Sequence, residues 1–158
     1  MITALIPGSF DPVTNGHVDV IERVAAQFPN VVVAAVRNTR KAEALFSLEE
    51  RQEMLQEVTA HLDNVRTEAF EGLLVDFAAR HRASVIVKGL RAVSDFDYEL
   101  QMSQMNHRLT GVETLFMPTR QEHSFLSSSL VREVARYQGD VSSMVPPLVA
   151  KRLQERFV

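Results

Sequence analysis

Three short segments of this 158-residue sequence carry residue types suited to holding an anion. The first is Pro7-Gly8-Ser9-Phe10-Asp11-Pro12-Val13-Thr14-Asn15-Gly16-His17. Gly8 permits close backbone approach or a positive φ, and Asp11-Pro12 signals a turn. Thr14 or Asn15 can cap a helix whose first turn holds Gly16 and His17. A helix start offers N–H groups without intrahelical acceptors and the positive end of a dipole, both suited to phosphate. Gly16 would let a nucleotide lie against the backbone, and His17 would aim a ring N–H at a phosphate oxygen. Without Gly-Lys-Ser/Thr or G-x-G-x-x-G, this is neither a Walker A loop nor the dinucleotide fingerprint. Taken alone, the segment can also be read as a turn, a capped helix and a surface histidine.

The second segment is Lys88-Gly89-Leu90-Arg91, followed by Asp95-Phe96-Asp97-Tyr98-Glu99. Lysine is scarce, with only Lys41, Lys88 and Lys151 among seventeen basic residues. Lys88 closes an apolar run, so it needs an anion, either a ligand or a neighbouring carboxylate. Arg91 offers a planar fork to phosphate or stands as a solvated loop residue. The third segment is His123-Ser124-Phe125-Leu126-Ser127-Ser128-Ser129-Leu130-Val131-Arg132. Its serine run gathers three hydroxyls and several helix-start N–H groups, as a phosphate site or as an over-supplied cap. A polar loop from Arg37 to Phe46 holds Lys41, readable as a phosphate contact or as a solvated charge.

The elements that must position these segments alternate. Apolar runs at Ile2–Pro7, Val31–Val36, Val65–Phe70, Ser84–Val87 and Thr114–Met117 read as strands. Two of them, Val31–Val36 and Val85–Val87, lack alternation, as strands covered on both faces do. Between them, Val20, Ile21, Val24, Ala25 and Phe28 share one helical face. Ser47-Leu48-Glu49-Glu50 is a capping box, with Leu48, Leu55, Val58 and Leu62 behind it. Further helices are expected over Gly72–His81, from Ser94 to about Leu109, over Ser128–Tyr137 and from Pro146 to Phe157. Pro146 suits a first helical turn. Repeated strand–helix alternation predicts a Rossmann-like α/β fold: a five-stranded parallel sheet, helices on both faces, and C-terminal helices. Ligands then bind outside the carboxyl ends of strands where strand order reverses, so the loops after strands one, four and five are the places to look.

Composition narrows the function. The length suits a single domain, here 1–158, and a chain this size buries roughly 70% of its unfolded surface without a disulfide or metal staple. There is no cysteine, which excludes disulfides, thiolate zinc, iron–sulfur clusters and a cysteine nucleophile. A net charge of −3 and a pI near 5.9 argue against a nucleic-acid partner. No apolar stretch reaches the ~18 residues of a membrane span, and the N-terminus lacks the basic start of a secretory signal. A cytoplasmic protein is expected. His61, His81 and His107 lack metal-ligand spacing and read as surface or packing residues, and no fixed metal ligand is expected.

Thr14-Asn15-Gly16-His17 resembles the (T/H)xGH signature of the nucleotidylyltransferase superfamily, and Leu126-Ser127-Ser128-Ser129 with Arg132 resembles its ISSTxxR motif. The longer patterns P-G-(S/T)-F-D-P-x-T-x-G-H and K/R-G-L-R-x-x-x-D-F-x-Y-E are similar to those of the bacterial phosphopantetheine adenylyltransferase family. The resemblance runs from about Ile2 to Leu153. It implies adenylyl transfer from ATP to 4′-phosphopantetheine, giving dephospho-CoA and pyrophosphate in coenzyme A biosynthesis. It also implies a hexamer, and Mg²⁺ that arrives with ATP. Catalytic positions by this likeness are Ser9, His17, Lys41 and Arg91. The implied ATP contacts are Ser9, Phe10, Gly16, His17, Gly89, Leu90, Arg91, Glu99 and His123 to Ser129, that is His123, Ser124, Phe125, Leu126, Ser127, Ser128 and Ser129. The implied phosphopantetheine contacts are Ser9, Lys41, Leu73, Leu74, Lys88, Met102, Met105 and Asn106. On their residues alone, the Met and Leu positions also read as helix core. Phe96, Tyr98, Leu100, Met102, Met105 and Leu109 spread over more than one helical face, as in a helix covered on two sides. Rival readings are transfer to another small phosphate and a non-catalytic nucleotide-binding module.

Overall fold

The computed structural model describes residues 1–37 and 43–158, the side chain of Ser94 excepted. Its strands are β1 (Thr3–Gly8), β2 (Asn30–Val36), β3 (Val65–Phe70), β4 (Val85–Leu90) and β5 (Glu113–Pro118). They form one sheet in the order β3-β2-β1-β4-β5, every pair parallel. The helices are α1 (Asn15–Ala25), α2 (Leu48–Val58), α3 (Leu74–Arg80), α4 (Val93–Thr110), α5 (Ser128–Arg136) and α6 (Pro147–Phe157). The α/β architecture expected from the alternation is the one observed.

The period-two alternation of each strand sorts its side chains between two cores. Ala4, Ile6, Val31, Val33, Ala35, Val85 and Val87 meet Val20, Ile21 and Val24 of α1, Met54 and Leu55 of α2, Val131 of α5, and Val149 and Leu153 of α6. Leu5, Val32, Ala34 and Ile86 meet Phe77 and Ala78 of α3 on the opposite face, with Phe70 stacked on Phe77. Both faces are dry, which is why these strands read as unbroken apolar runs. Each fully buried Val, Leu or Ile contributes about 1.5–3 kcal/mol, so the central strands are rigid supports for the loops at their ends.

From β1 the chain builds outward through β2 to β3, then returns to lay β4 on the other side of β1. The reversal opens a fork between the carboxyl ends of β1 and β4, where sheets of this kind bind ligands.

Several boundaries differ from the sequence expectation. β4 continues past its apolar run through Lys88, Gly89 and Leu90, because β5 pairs with it as far as Leu90↔Pro118. Gly72, at φ 115°, stays outside α3, and Leu73 takes the cap position. Pro146 caps α6 and Pro147 occupies its first turn. α1 ends at Ala25, so Phe28 reaches the core from the following turn. β1 starts at Thr3, α4 starts at Val93 and α5 ends at Arg136, each one residue from its expected limit.

The α2 capping box forms as expected. Ser47 Oγ accepts from the Glu50 N–H at 3.1 Å, and Glu50 Oε2 accepts from the Ser47 N–H at 2.8 Å. That backbone N–H of Ser47, helped by Arg156 at 2.6 Å, holds the Glu50 carboxyl below its ordinary value of 4.5. A depressed folded-state pKa stabilises the protein above the ordinary value, and the contribution is lost as pH falls through the folded one. Ser47→Ala is therefore expected to cost about 1 kcal/mol in urea unfolding at neutral pH. Glu50→Gln should remove part of the stability loss seen on acidification below pH 4.5.

Candidate active site

β1 delivers the chain to Gly8 at the fork. A Cβ there would lie 2.9 Å from the Phe10 ring, so glycine is needed for that contact rather than for a positive φ. The positive φ, 47°, falls on Phe10 itself. The buried Phe10 ring then meets the His17 ring edge-on, with centroids 5.0 Å apart. Thr14 caps α1: its Oγ1 accepts from the His17 N–H at 3.3 Å, and His17 Nδ1 accepts from the Thr14 N–H at 3.0 Å. This is a capping box with histidine in the place of the usual carboxamide or carboxylate. Because the Nδ1 lone pair takes a backbone proton donor, the neutral imidazole carries its own proton on Nε2. The ring N–H that the sequence assigned to a phosphate is thus Nε2–H.

The carbonyls of this loop are held from outside it. Arg51 of α2, only 4% exposed, donates to Ser9 O at 2.8 Å, Val36 O at 3.1 Å and Ser47 O at 3.4 Å. Burial presses its guanidinium below the usual arginine pKa, and the charges of Asp11 and Glu49 act the other way. Arg132 of α5 donates to Asp11 O at 2.6 Å, and Ser128 Oγ donates to Pro12 O at 2.7 Å. The Asp11 carboxylate, 6% exposed, accepts from the N–H groups of Leu45 and Phe46 at 2.9 Å each. It thereby ties the loop after β1 to the far end of the loop after β2.

The remaining segments join the same rim. Arg91 donates to Leu126 O at 2.9 Å and lies 3.4 Å from Asp95. His123 ends a short 3-10 turn (Gln121–His123), its Cβ 3.4 Å from where a Gly16 Cβ would be. The three serines divide their work: Ser127 Oγ accepts from the Leu130 N–H, Ser128 grips Pro12, and Ser129 Oγ accepts from Arg132 at 3.3 Å. Ser124 Oγ donates to Gln121 O, while Phe125 is exposed. Gly89 makes room for Val20 of α1, and Leu90 O accepts from the Thr119 N–H. The segments holding Ser9, Phe10, Gly16, His17, Arg91, His123 and Leu126 to Ser129 are thus brought together at one rim, with Phe10, Gly16 and Leu126 buried beneath it.

The acceptor-side residues are placed differently. Lys88 Nζ lies 3.3 Å from Glu99 Oε2, so the lysine that ends the apolar run of β4 has found a protein carboxylate. Leu73 and Met105 are exposed, Leu74 packs on the smaller core, Met102 is half-buried and Asn106 is buried. Lys41 lies outside the described residues. His61 pairs with Glu22, His81 packs on the Phe77 ring and His107 pairs with Glu113, as expected of surface and packing residues. Asp11 and Arg51 are the structural residues that sequence reasoning missed. Asp11 read only as a turn former. Arg51 carried a signal, since position 51 falls on the stripe of Leu48, Leu55 and Val58.

The description cytidylyltransferase-like fits a family model that matches residues 5–134, which makes this fold and rim those of a nucleotidyltransferase. The phosphopantetheine adenylyltransferase of Streptomyces coelicolor is 58% identical over 156 residues, covering 99% of this chain and 98% of that one. The phosphopantetheine adenylyltransferase of Thermobifida fusca is 54% identical over 157 residues, covering 99% and 95%. The chain belongs to the phosphopantetheine adenylyltransferase family. A solved structure of a candidate nicotinate-nucleotide adenylyltransferase from Vibrio parahaemolyticus superposes with a TM-score of 0.70 at 17% identity, covering 99% of this chain and 95% of that one, and shares the fold. Among the described residues, no helix is long and apolar enough to cross a membrane.

Asp11→Asn would replace one of two accepting oxygens by an NH₂ facing a backbone N–H. A buried donor left without its acceptor costs about 1–3 kcal/mol. Denaturant unfolding of the variant should show a loss of that size, and an unchanged midpoint would contradict the clamp.

Proposed function

We propose that this chain transfers the adenylyl group of ATP to 4′-phosphopantetheine, giving dephospho-CoA and pyrophosphate, with residues 1–158 acting as one nucleotidylyltransferase domain. The observation that carries this reading is the meeting of the loops after β1, β4 and β5 on one rim, in a chain 58% identical to a phosphopantetheine adenylyltransferase.

An acceptor phosphate is already an anion and needs no base to activate it. Catalysis then reduces to alignment and charge stabilisation. An acceptor oxygen attacks the α-phosphorus in line, the new P–O bond forms, and the bond from α-phosphorus to the pyrophosphate oxygen breaks. His17 Nε2–H donates to the α-phosphate as charge builds on its oxygens, and Gly16 leaves the backbone open to the nucleotide. Ser9 orients the acceptor phosphate. Lys41 and Lys88 offset the repulsion between the two anions, which requires Lys88 to exchange Glu99 for phosphate. Arg91 and the helix start at Ser127 to Ser129 bind the β- and γ-phosphates, with Phe10, Gly89, Leu90, Glu99 and His123 to Leu126 completing the nucleotide site. Leu73, Leu74, Met102, Met105 and Asn106 take the pantetheine arm.

The described residues hold no group of three or more His, Asp or Glu side chains able to ligate an ion. A Mg²⁺ entering with ATP would take its ligands from phosphate oxygens and water. We further read the protein as a cytoplasmic homo-oligomer, the hexamer being the family expectation. Support comes from the large apolar side chains left exposed on more than one face of α4, Val93 and Phe96 toward its start and Met105 and Leu109 toward its end, as in a helix covered on two sides.

Incubation with ATP, Mg²⁺ and 4′-phosphopantetheine should yield dephospho-CoA by mass. Product only with another phosphate acceptor, or ATP binding without pyrophosphate release, would overturn the reading. His17→Ala is expected to lower kcat by on the order of 10²–10³ with the fold retained, as for loss of one oxyanion donor. Wild-type turnover would refute its role. Lys41→Ala should weaken phosphopantetheine far more than ATP in isothermal titration, and equal losses would contradict its assignment.

A further inference from the structure

We propose that Arg51 is a positioning residue for adenylyl transfer: its guanidinium sets the Ser9–Phe10 peptide, and hence the direction of the Phe10 N–H, against the strand end that launches the lysine loop. The inference rests on the reaction proposed above.

One nitrogen does most of the joining. Arg51 Nη1 reaches Ser9 O at 2.8 Å in the loop after β1 and Val36 O at 3.1 Å at the last residue of β2. Nε reaches Ser47 O at 3.4 Å at the head of α2. The loop proposed to hold the nucleotide and the loop proposed to hold the acceptor phosphate therefore share one buried cation as a spacer.

The direction of the Phe10 N–H follows from peptide geometry. The Ser9–Phe10 bond is trans, since Asp11–Pro12 is the one cis bond among the described residues. Across a trans peptide the carbonyl and the next N–H point opposite ways. With Ser9 O drawn toward α2, the Phe10 N–H is turned away from α2. Phe10 itself has φ 47°, a region that bulky L-residues seldom adopt. Such a turn persists only when its surroundings over-determine it. Arg51 holds it on one side, and the buried Phe10 ring packed over Gly8 holds it on the other.

Arginine suits this position because its planar fork presents several fixed donors at once, whereas a lysine ammonium is a single point on a flexible stem. Burial is the largest influence on the Arg51 charge and opposes it, while Asp11 and Glu49 favour it. A residue serving only the core would be better apolar at this place on the α2 stripe.

The test compares wild-type protein with Arg51→Lys and Arg51→Met, the latter keeping the apolar stem. Each is checked for fold by circular dichroism and assayed for dephospho-CoA formation. Amide hydrogen exchange is followed at residues 9–11 and 43–46. The expected result is folded Arg51→Lys protein with kcat lowered roughly 10- to 100-fold, the ATP KM within about threefold of wild type, and Arg51→Met lower still. Exchange at the two loops should rise by about tenfold while α3 and α4 keep their protection. Wild-type kcat in folded Arg51→Lys, a loss explained wholly by a higher ATP KM, or failure of both variants to fold would overturn the proposal. If the wild-type protein made no dephospho-CoA, the reaction assignment would fall. The exchange data would still decide Arg51, because unchanged protection at both loops refutes the spacer role.

Discussion

Three carbonyl oxygens of the loop after β1 are held by side chains from the body of the protein. Ser9, Asp11 and Pro12 each accept a hydrogen bond from a side chain of another helix, through Arg51, Arg132 and Ser128. A buried carbonyl without a donor is costly, so the bonds leave the loop one low-energy shape. What α2 and α5 take from the loop thereby fixes the course of its backbone between β1 and α1. The loop that would bind the nucleotide is thus shaped by helices that belong to other parts of the sequence.

Topology makes this economical. β1 is the central strand, flanked by β2 and β4, and all three are buried on both faces. Their ends are therefore the least mobile places from which a loop can start. The reversal of strand order separates the connections leaving β1 and β4 and leaves a space between them. Arg91 crosses toward Leu126 and Ser128 crosses toward Pro12, so α5 is drawn against both loops. Positioning donors in advance in this way suits a reaction between two anions, because little reorganisation remains when charge develops. The Lys88–Glu99 pair places a paired cation on β4, near the same rim.

Much of this was readable from the sequence, for local reasons. The strands showed themselves because burial on both faces leaves no room for polar residues. The α2 cap was legible because Ser47 and Glu50 satisfy each other within one turn. His17 and the serine run stood out because they gather groups suited to phosphate at helix starts that follow strands, and the motif likeness identified the family. What escaped depends on partners far along the chain. Asp11 meets Leu45 and Phe46, and nothing near Asp11 announces them. The extension of β4 through Lys88 was decided by pairing with β5. The serine hydroxyls looked alike in sequence, yet one caps, one crosses to Pro12 and one meets Arg132, because only Ser128 faces the first loop.

On this reading two phosphates meet over the fork between β1 and β4, at the start of α1. This arrangement is tested most directly by a crystal structure with a non-hydrolysable ATP analogue and 4′-phosphopantetheine. The α-phosphate is expected at about 2.7–3.2 Å from His17 Nε2, with the acceptor phosphate on its far side in line with the leaving oxygen. A nucleotide seated away from this fork, or an imidazole that presents Nδ1 to the phosphate and abandons Thr14, would contradict it.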